Sequence, residues 1–294
     1  MLHRQLLSKP MQVMHRACAL VCLALLASPL HAQQAVQVPS LDQREGAAIE
    51  LPAFWFPART DSAAPAMVLL HGCGGPYNSK GVLAARFREL SERFNAMGIH
   101  VLVTDSLTPR NERELCTQKN GERAVNQLNR RRDALGALQW LASRPEVDPA
   151  RLGLLGWSNG GSTVLAASNQ LHAEVQASAA RPSLVVAFYP GCATELARGY
   201  RAAAPLLLLV GEADDWTPAE PCKQLAHRAG GAPVQIETYA GAYHGFDGTA
   251  PLRLRSEVPN GVNPGQGVHV GGQPAARAAS ALALERFLRE QWKL

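Results

Sequence analysis

Gly156-Trp157-Ser158-Asn159-Gly160 places a serine between two glycines, directly after the apolar run Arg151-Leu152-Gly153-Leu154-Leu155. A serine pushed out on a sharp strand-to-helix turn needs such neighbours, because a Cβ at either glycine would clash with the adjoining strand and helix. Its hydroxyl can attack an acyl carbon if a base takes the proton, an acid orients that base, and N–H donors receive the charge developing on oxygen. The base candidate is His244 in Ala242-Tyr243-His244-Gly245-Phe246, just beyond the last strand-like segment. His71, His100, His172, His227 and His269 lack that placement. The acid candidate is Asp214 in Gly211-Glu212-Ala213-Asp214-Asp215-Trp216-Thr217-Pro218, with Asp215 as its rival. For the oxyanion, the N–H of Asn159 pairs with one from His71-Gly72-Cys73-Gly74-Gly75, best that of Cys73.

Each of these residues also has an ordinary role open to it: a buried turn serine, a helix N-cap ahead of Pro218, a surface histidine. What favours chemistry is that serine, carboxylate and histidine recur in that order at successive strand ends, beside a glycine-rich loop. Asp105, ending another strand, fits a structural carboxylate or a pocket contact, with structure favoured. Trp157, Trp216 and Tyr243 flank the three candidates as pocket lining or as packing. Asn263-Pro264-Gly265-Gln266-Gly267-Val268 resembles a phosphate loop only superficially, because no strand is expected before it. No His, Cys or carboxylate spacing suits a metal, and no cofactor is expected.

These residues must be positioned by a sheet. Ile49 to Phe56, interrupted by Pro52 and followed by Pro57, reads as an early edge strand. Ala66 to Leu70 ends in glycines, as a buried parallel strand does. Gly81 to Met97 has helical spacing and stops at Gly98; Ile99 to Val103 is the next strand. Thr108 to Gly121 is polar and irregular, of a length that marks function or disorder, and a lid is one expectation for it. A helix over Glu122 to Ser143, with Ala134, Leu135, Leu138 and Leu141 inward, leads through Asp148-Pro149 to the serine strand. Leu184 to Tyr189, Leu206 to Val210 and Val234 to Tyr239 are further strands, and Ala275 to Trp292 is the closing helix. Strands alternating with helices predict an α/β fold with a mostly parallel central sheet and helices on both faces.

The first 32 residues stand apart. Arg4, Lys9 and Arg16 precede an apolar run from Ala17 to Leu30, and Ala32 follows, the pattern of a cleaved secretory signal peptide. That run is too short for a stable membrane anchor, since a span takes about 20 apolar residues. Residues 33–294 are then a single domain, exported to the periplasm or secreted. Losing the leader removes three of the five net positive charges, leaving +2, so the basic pI says little about partners. Arg130-Arg131-Arg132 reads as a solvated helix face, and no nucleic-acid partner is expected. Cys73, Cys116, Cys192 and Cys222 remain, an even number suited to disulfides in an oxidising compartment. Three pairings are open; Cys73 with Cys116 and Cys192 with Cys222 would tie successive strand-end loops.

At His71-Gly-Cys-Gly-Gly, Gly156-Trp-Ser-Asn-Gly, Gly211-Glu-Ala-Asp-Asp-Trp-Thr-Pro and Tyr243-His-Gly-Phe the chain resembles the dienelactone hydrolase family of α/β-hydrolases. The likeness runs from about Pro52 to the end and implies that fold, with the family's acid on Asp214 and its base on His244. Two departures stand out: Ser158 replaces the namesakes' cysteine nucleophile, and Gly72 replaces a glutamate after the early-loop histidine. A serine suits general ester or lactone hydrolysis of small molecules. Acyl transfer or peptide cleavage on the same fold is the nearest alternative chemistry, and a non-catalytic binding protein is the alternative of a different class.

Overall fold

The computed structural model describes residues 33–294, so the leader expected over residues 1–32 lies outside the described part. In chain order β1 (Gln34–Arg44), β2 (Ala47–Phe56) and β3 (Ala64–Leu70) precede α1 (Ala85–Ala96), β4 (His100–Thr104) and α2 (Gln127–Ala142). Next, β5 (Val147–Trp157) leads into α3 (Asn159–Ser168), α4 (Ala173–Ala177) and β6 (Leu184–Phe188). They are followed by α5 (Ala193–Arg198), β7 (Arg201–Ala202), β8 (Leu206–Gly211), α6 (Ala219–Arg228), β9 (Gly230–Gly231) and β10 (Val234–Tyr239). A short hairpin of β11 (Arg253–Arg255) and β12 (Val268–Val270) comes before the closing helix α7 (Pro274–Trp292).

One eight-stranded sheet runs β1-β2-β4-β3-β5-β6-β8-β10, antiparallel only where β2 meets β1 and β4. Strands buried on both faces read as unbroken apolar runs, and β3, β4, β6 and β8 are buried throughout. Because successive side chains alternate across a strand, Ala66, Val68 and Leu70 join a core layer with Ala134 and Leu138 of α2 and Val164 of α3. Met67 and Leu69 face the opposite layer, with Phe87 and Phe94 of α1 and Leu284, Phe287 and Trp292 of α7. From β3 the chain passes to β4 on one side and afterwards returns to β5 on the other. The crevice thus opens between the carboxyl ends of β3 and β5, the place where open α/β sheets bind ligands.

Three sequence expectations need correcting. The polar lead-in before Ile49 is β1, and its presence moves Ile49 to Phe56 off the sheet edge. Strand β1 was hidden because its inward side changes from Val36 and Val38 to Ser40 and Asp42, which bond to charged side chains on α2 and the loop before it. Pro52 is tolerated in β2 because it lies just past the last β4 pair, Ala53 with Thr104, where its carbonyl accepts from Asp105 N. The helix expected from Glu122 starts at Gln127, where Asn126 accepts from the N–H groups of Leu128 and Asn129 as an N-cap and Asn129 answers in a capping box. Likewise α1 begins at Ala85 rather than Gly81. Gly136 lets α2 lie against β1, since a Cβ there would sit 2.4 Å from the Pro39 carbonyl oxygen.

Candidate active site

Ser158 directly follows β5 in a backbone conformation, φ 55° and ψ −118°, that an L side chain adopts only under strain. Close packing holds it there: a Cβ at Gly160 would fall 2.1 Å from the Leu70 carbonyl oxygen, and one at Gly156 2.3 Å from the Gly160 oxygen. The turn aims Oγ at His244, whose Nε2 is 2.8 Å away. On the other side of the imidazole, Nδ1 lies 2.8 Å from Asp214 Oδ2. Asp214 is fixed in turn, Oδ1 accepting from the N–H groups of Trp216 and Thr217 at 2.9 Å each and Oδ2 lying 3.0 Å from the Thr217 hydroxyl. With Ser158 9% exposed, His244 3% and Asp214 4%, the set is shielded yet still open at the hydroxyl. A hydroxyl, imidazole and carboxylate in line can pass a proton from oxygen to nitrogen and hold the resulting imidazolium.

Asp215, the rival acid, is used elsewhere. Its Oδ1 accepts from His269 N and its Oδ2 lies 2.7 Å from His269 Nδ1, which anchors the β11–β12 excursion. Asp105 is structural: buried, with Oδ1 accepting from the N–H groups of Leu107 and Thr108. Of the three flanking aromatics only Trp216 lines the cavity, its ring 4.6 Å from that of His244. Trp157 is buried on the opposite side between Phe87 and Phe188, and Tyr243 packs on His269. Asn263 to Gly267 lie in the β11–β12 connection and Val268 opens β12, so the stretch is not a strand-to-helix phosphate loop.

Two arms flank the serine where an oxyanion would form. Asn159 is the first residue of α3, so its N–H has no acceptor within the helix. Cys73 lies on the loop after β3 and lines the same cavity. That loop is joined to the irregular segment 108–121 by the disulfide Cys73–Cys116, S–S 2.05 Å. Cys192 and Cys222 form the second bridge, at 2.00 Å. The irregular segment is further held by Arg110, bidentate to Asp133 and bonded to Asp42, and by Glu114 accepting from Cys116 N and Thr117 N. Asn260 spans the rim, accepting from Asn120 N and donating to the Gln118 carbonyl.

The cavity at Ser158 holds about 450 Å³ and presents polar and apolar surface in about equal share, with Arg123, Gln127, Ser162 and Glu195 beside Trp216 and the Cys73 bridge. Gly72 stands against the elbow, where a Cβ would come 3.6 Å from Ser158 Cβ; the position that carries glutamate in the namesakes thus adds no carboxylate here. Among the described residues no group of three or more His, Cys, Asp or Glu could hold a metal ion.

The arginine triplet is the clearest correction. Arg131 and Arg132 pair with Glu174, and Arg132 also with Asp42. Arg130 is 1% exposed and lies beneath the two arms, donating to Asn159 Oδ1 and to the His71 carbonyl. Helical spacing puts Arg130 in line with Ala134, Leu138 and Leu141, but it also puts Arg131 in line with Leu135 and Leu138, so packing and not spacing separates the two. His71 is fully buried; burial first and the Arg130 charge second hold its imidazole well below the ordinary histidine range. Ser106 N donates to His71 Nε2, so the neutral ring keeps its proton on Nδ1 and donates it to the Gly72 carbonyl.

The chain matches the family model described as dienelactone hydrolase family over residues 55–288. Among solved structures, a dienelactone hydrolase-like promiscuous phosphotriesterase from metagenomic libraries is 19% identical, over 89% of this chain and 99% of that one, with a TM-score of 0.61. A thermophilic esterase from the planctomycete Thermogutta terrifontis is 17% identical over 88% of this chain and 92% of its own, TM-score 0.60. A puromycin-hydrolyzing peptidase from Mycobacterium tuberculosis is 22% identical over 72% of this chain but only 36% of its own, TM-score 0.51. At such identities the structural likeness speaks for the fold. With the family match spanning most of its length on an α/β-hydrolase sheet, the chain belongs to the dienelactone hydrolase family and is a hydrolase.

Proposed function

We propose that the protein hydrolyses a small carboxylic ester or lactone through an acyl-enzyme intermediate on Ser158. The observation that carries this reading is the continuous line Ser158 Oγ, His244, Asp214, with both contacts at 2.8 Å and the serine on a strained elbow facing a cavity. Ser158 Oγ attacks the acyl carbon as its proton passes to His244 Nε2. The tetrahedral oxyanion is received by the N–H groups of Asn159 and Cys73. Collapse breaks the bond to the leaving oxygen, which takes the proton from His244; in a lactone that oxygen stays tethered to the acyl group. Water, deprotonated by His244, then attacks the acyl-enzyme, and release of the carboxylic acid restores Ser158. Asp214 holds the imidazole with its proton on Nδ1 and balances its transient charge.

We also propose export. Two disulfides suit an oxidising compartment, and among the described residues no helix is long and apolar enough to cross a membrane. Residues 1–32 are taken as a cleaved signal peptide, and N-terminal sequencing of the secreted or periplasmic form should begin at Gln33.

The deciding experiment treats the mature protein and its Ser158→Ala variant with a fluorophosphonate probe and a short-chain aryl ester. Labelling and turnover lost only in the variant support the reading. A native protein that neither labels nor turns over sinks it and leaves a binding role.

A further inference from the structure

Arg130 is a fully desolvated cation whose hydrogen bonds go to neutral oxygens. Its guanidinium donates to Asn159 Oδ1 and, at 2.7 Å, to the His71 carbonyl, while Nε has no partner among the described residues. Asp133 and Asp105 attract it, but the Asp133 carboxylate is taken up by Arg110 and Ser40, and Asp105 Oδ1 by two backbone N–H groups. Burial pulls its ionisation down to about 10, against the pull of Asp133, so it stays protonated at neutral pH. A buried charge without a bonded counter-ion is costly, so what its hydrogen bonds hold in place matters.

Both bonds lead to the same place. Asn159 follows the serine, and His71 lies two residues before Cys73, so one planar group braces both oxyanion arms across the β3–β5 crevice. The arms are also polarised: the Gly72 carbonyl, which accepts from His71 Nδ1, shares its peptide unit with the Cys73 N–H. The Ser158 carbonyl, which accepts from Ser162 N, shares its unit with the Asn159 N–H. A peptide whose carbonyl accepts a bond donates more strongly from its N–H.

We infer that Arg130 is a positioning residue of the oxyanion site, setting the two N–H donors and supplying a buried positive charge that favours the tetrahedral oxyanion over the neutral ester. The inference rests on the serine-hydrolase reading. Since losing one direct oxyanion donor lowers kcat by about 10²- to 10³-fold, removing this indirect support should lower it by about 30-fold.

The test compares Arg130→Met, Arg130→Lys and Asn159→Ala on an aryl ester, with Ser158→Ala as reference. Arg130→Met should lower kcat by about 30-fold with KM within about twofold, slow fluorophosphonate labelling in parallel, and weaken binding of a trifluoromethyl ketone, which forms an anionic tetrahedral adduct, by a similar factor. Arg130→Lys, which keeps the charge, should recover most of the loss. If Arg130→Met does not fold, Asn159→Ala serves instead. It keeps the backbone N–H but cuts the brace, and should lower kcat several-fold at constant KM. A folded Arg130→Met with native kcat, a loss confined to KM, an Arg130→Lys as impaired as Met, or an Asn159→Ala with native kcat overturns the inference. A wild type as inactive as Ser158→Ala would fail the hydrolase reading itself, a separate result.

Discussion

The two halves of the proposed site, the base side and the oxyanion side, are built differently. On the base side, His244 sits between the rings of Tyr189 and Trp216, each centroid 4.6 Å away, on a loop tied to the sheet by hydrogen-bonded carboxylates. Asp214 is one, and Asp247, three residues after the histidine, is the other. Asp247 accepts from Trp157 Nε1, the Tyr189 hydroxyl and Arg86, which joins the His244 loop to β5, β6 and α1. On the oxyanion side, two backbone arms from different strands are braced by one buried guanidinium and a disulfide to a segment with little regular structure. Aromatic packing and several redundant bonds hold the base, whereas the oxyanion arms depend on a few links. The base side should therefore lose most when its chemistry is removed and the oxyanion side when its scaffolding is.

Removing base-side chemistry gives the largest effect. Asp214→Asn leaves the shape but loses the acceptor that fixes the imidazole tautomer, and kcat/KM on an aryl ester should fall by about 10³- to 10⁴-fold with little change in melting temperature. A loss below tenfold would show that another group orients His244.

The two disulfides sharpen the contrast. Each should stabilise the fold by about 4 kcal/mol on the loop-entropy model, given separations of 43 and 30 residues. The double variant Cys73→Ser, Cys116→Ser should lose stability and also about tenfold in kcat, because one oxyanion donor loses its tether. Cys192→Ser with Cys222→Ser, away from the arms, should lose stability alone. Equal kcat in the two double variants would break the comparison.

Acid should reach the oxyanion side through His71. Its folded-state ionisation lies well below 6.5 because burial and then Arg130 oppose the charge, so the unfolded chain takes up the proton first as pH falls. The stability contributed by the neutral ring is complete above about pH 6.5 and is lost below it, by up to about 1.4 kcal/mol per pH unit. Chemical-denaturation curves from pH 7.5 to 5 should show that slope, shallower in His71→Gln; an unchanged slope in the variant would assign it to other groups, His100 among them.

Scaffolding on the base side gives the smallest effect. Asp247→Asn keeps one acceptor, for Trp157 Nε1, and turns an amide NH2 toward the Tyr189 hydroxyl, which must then accept, while losing the tie to Arg86; kcat should drop by about threefold. A hundredfold loss would mean the base side is no more redundant than the oxyanion side.

The meeting of Ser158, His244 and Asp214 in one line was legible because a serine between glycines after an apolar run marks a sharp strand-to-helix turn, and because apolar runs mark the strands whose ends carry the other two. The burial of Arg130 is not legible in three consecutive arginines, because helical spacing sets both Arg130 and Arg131 in line with apolar residues of α2 and only contact with Asn159 and His71 separates them. Strand β1 escaped because half of its inward side is polar, and the start of α2 because Asn126 caps it five residues after the periodicity suggests.

By itself the sequence determined the parallel α/β sheet and the strand-to-helix turn at Ser158, since local spacing and periodicity restrict which residues can occupy such positions. Tertiary structure alone decided that Asp214 rather than Asp215 meets His244, which cysteines pair, and that a buried guanidinium joins Asn159 to the loop after β3. Those outcomes depend on the relative placement of segments far apart in the chain, which is fixed by packing across the sheet and leaves no local signature in residue order.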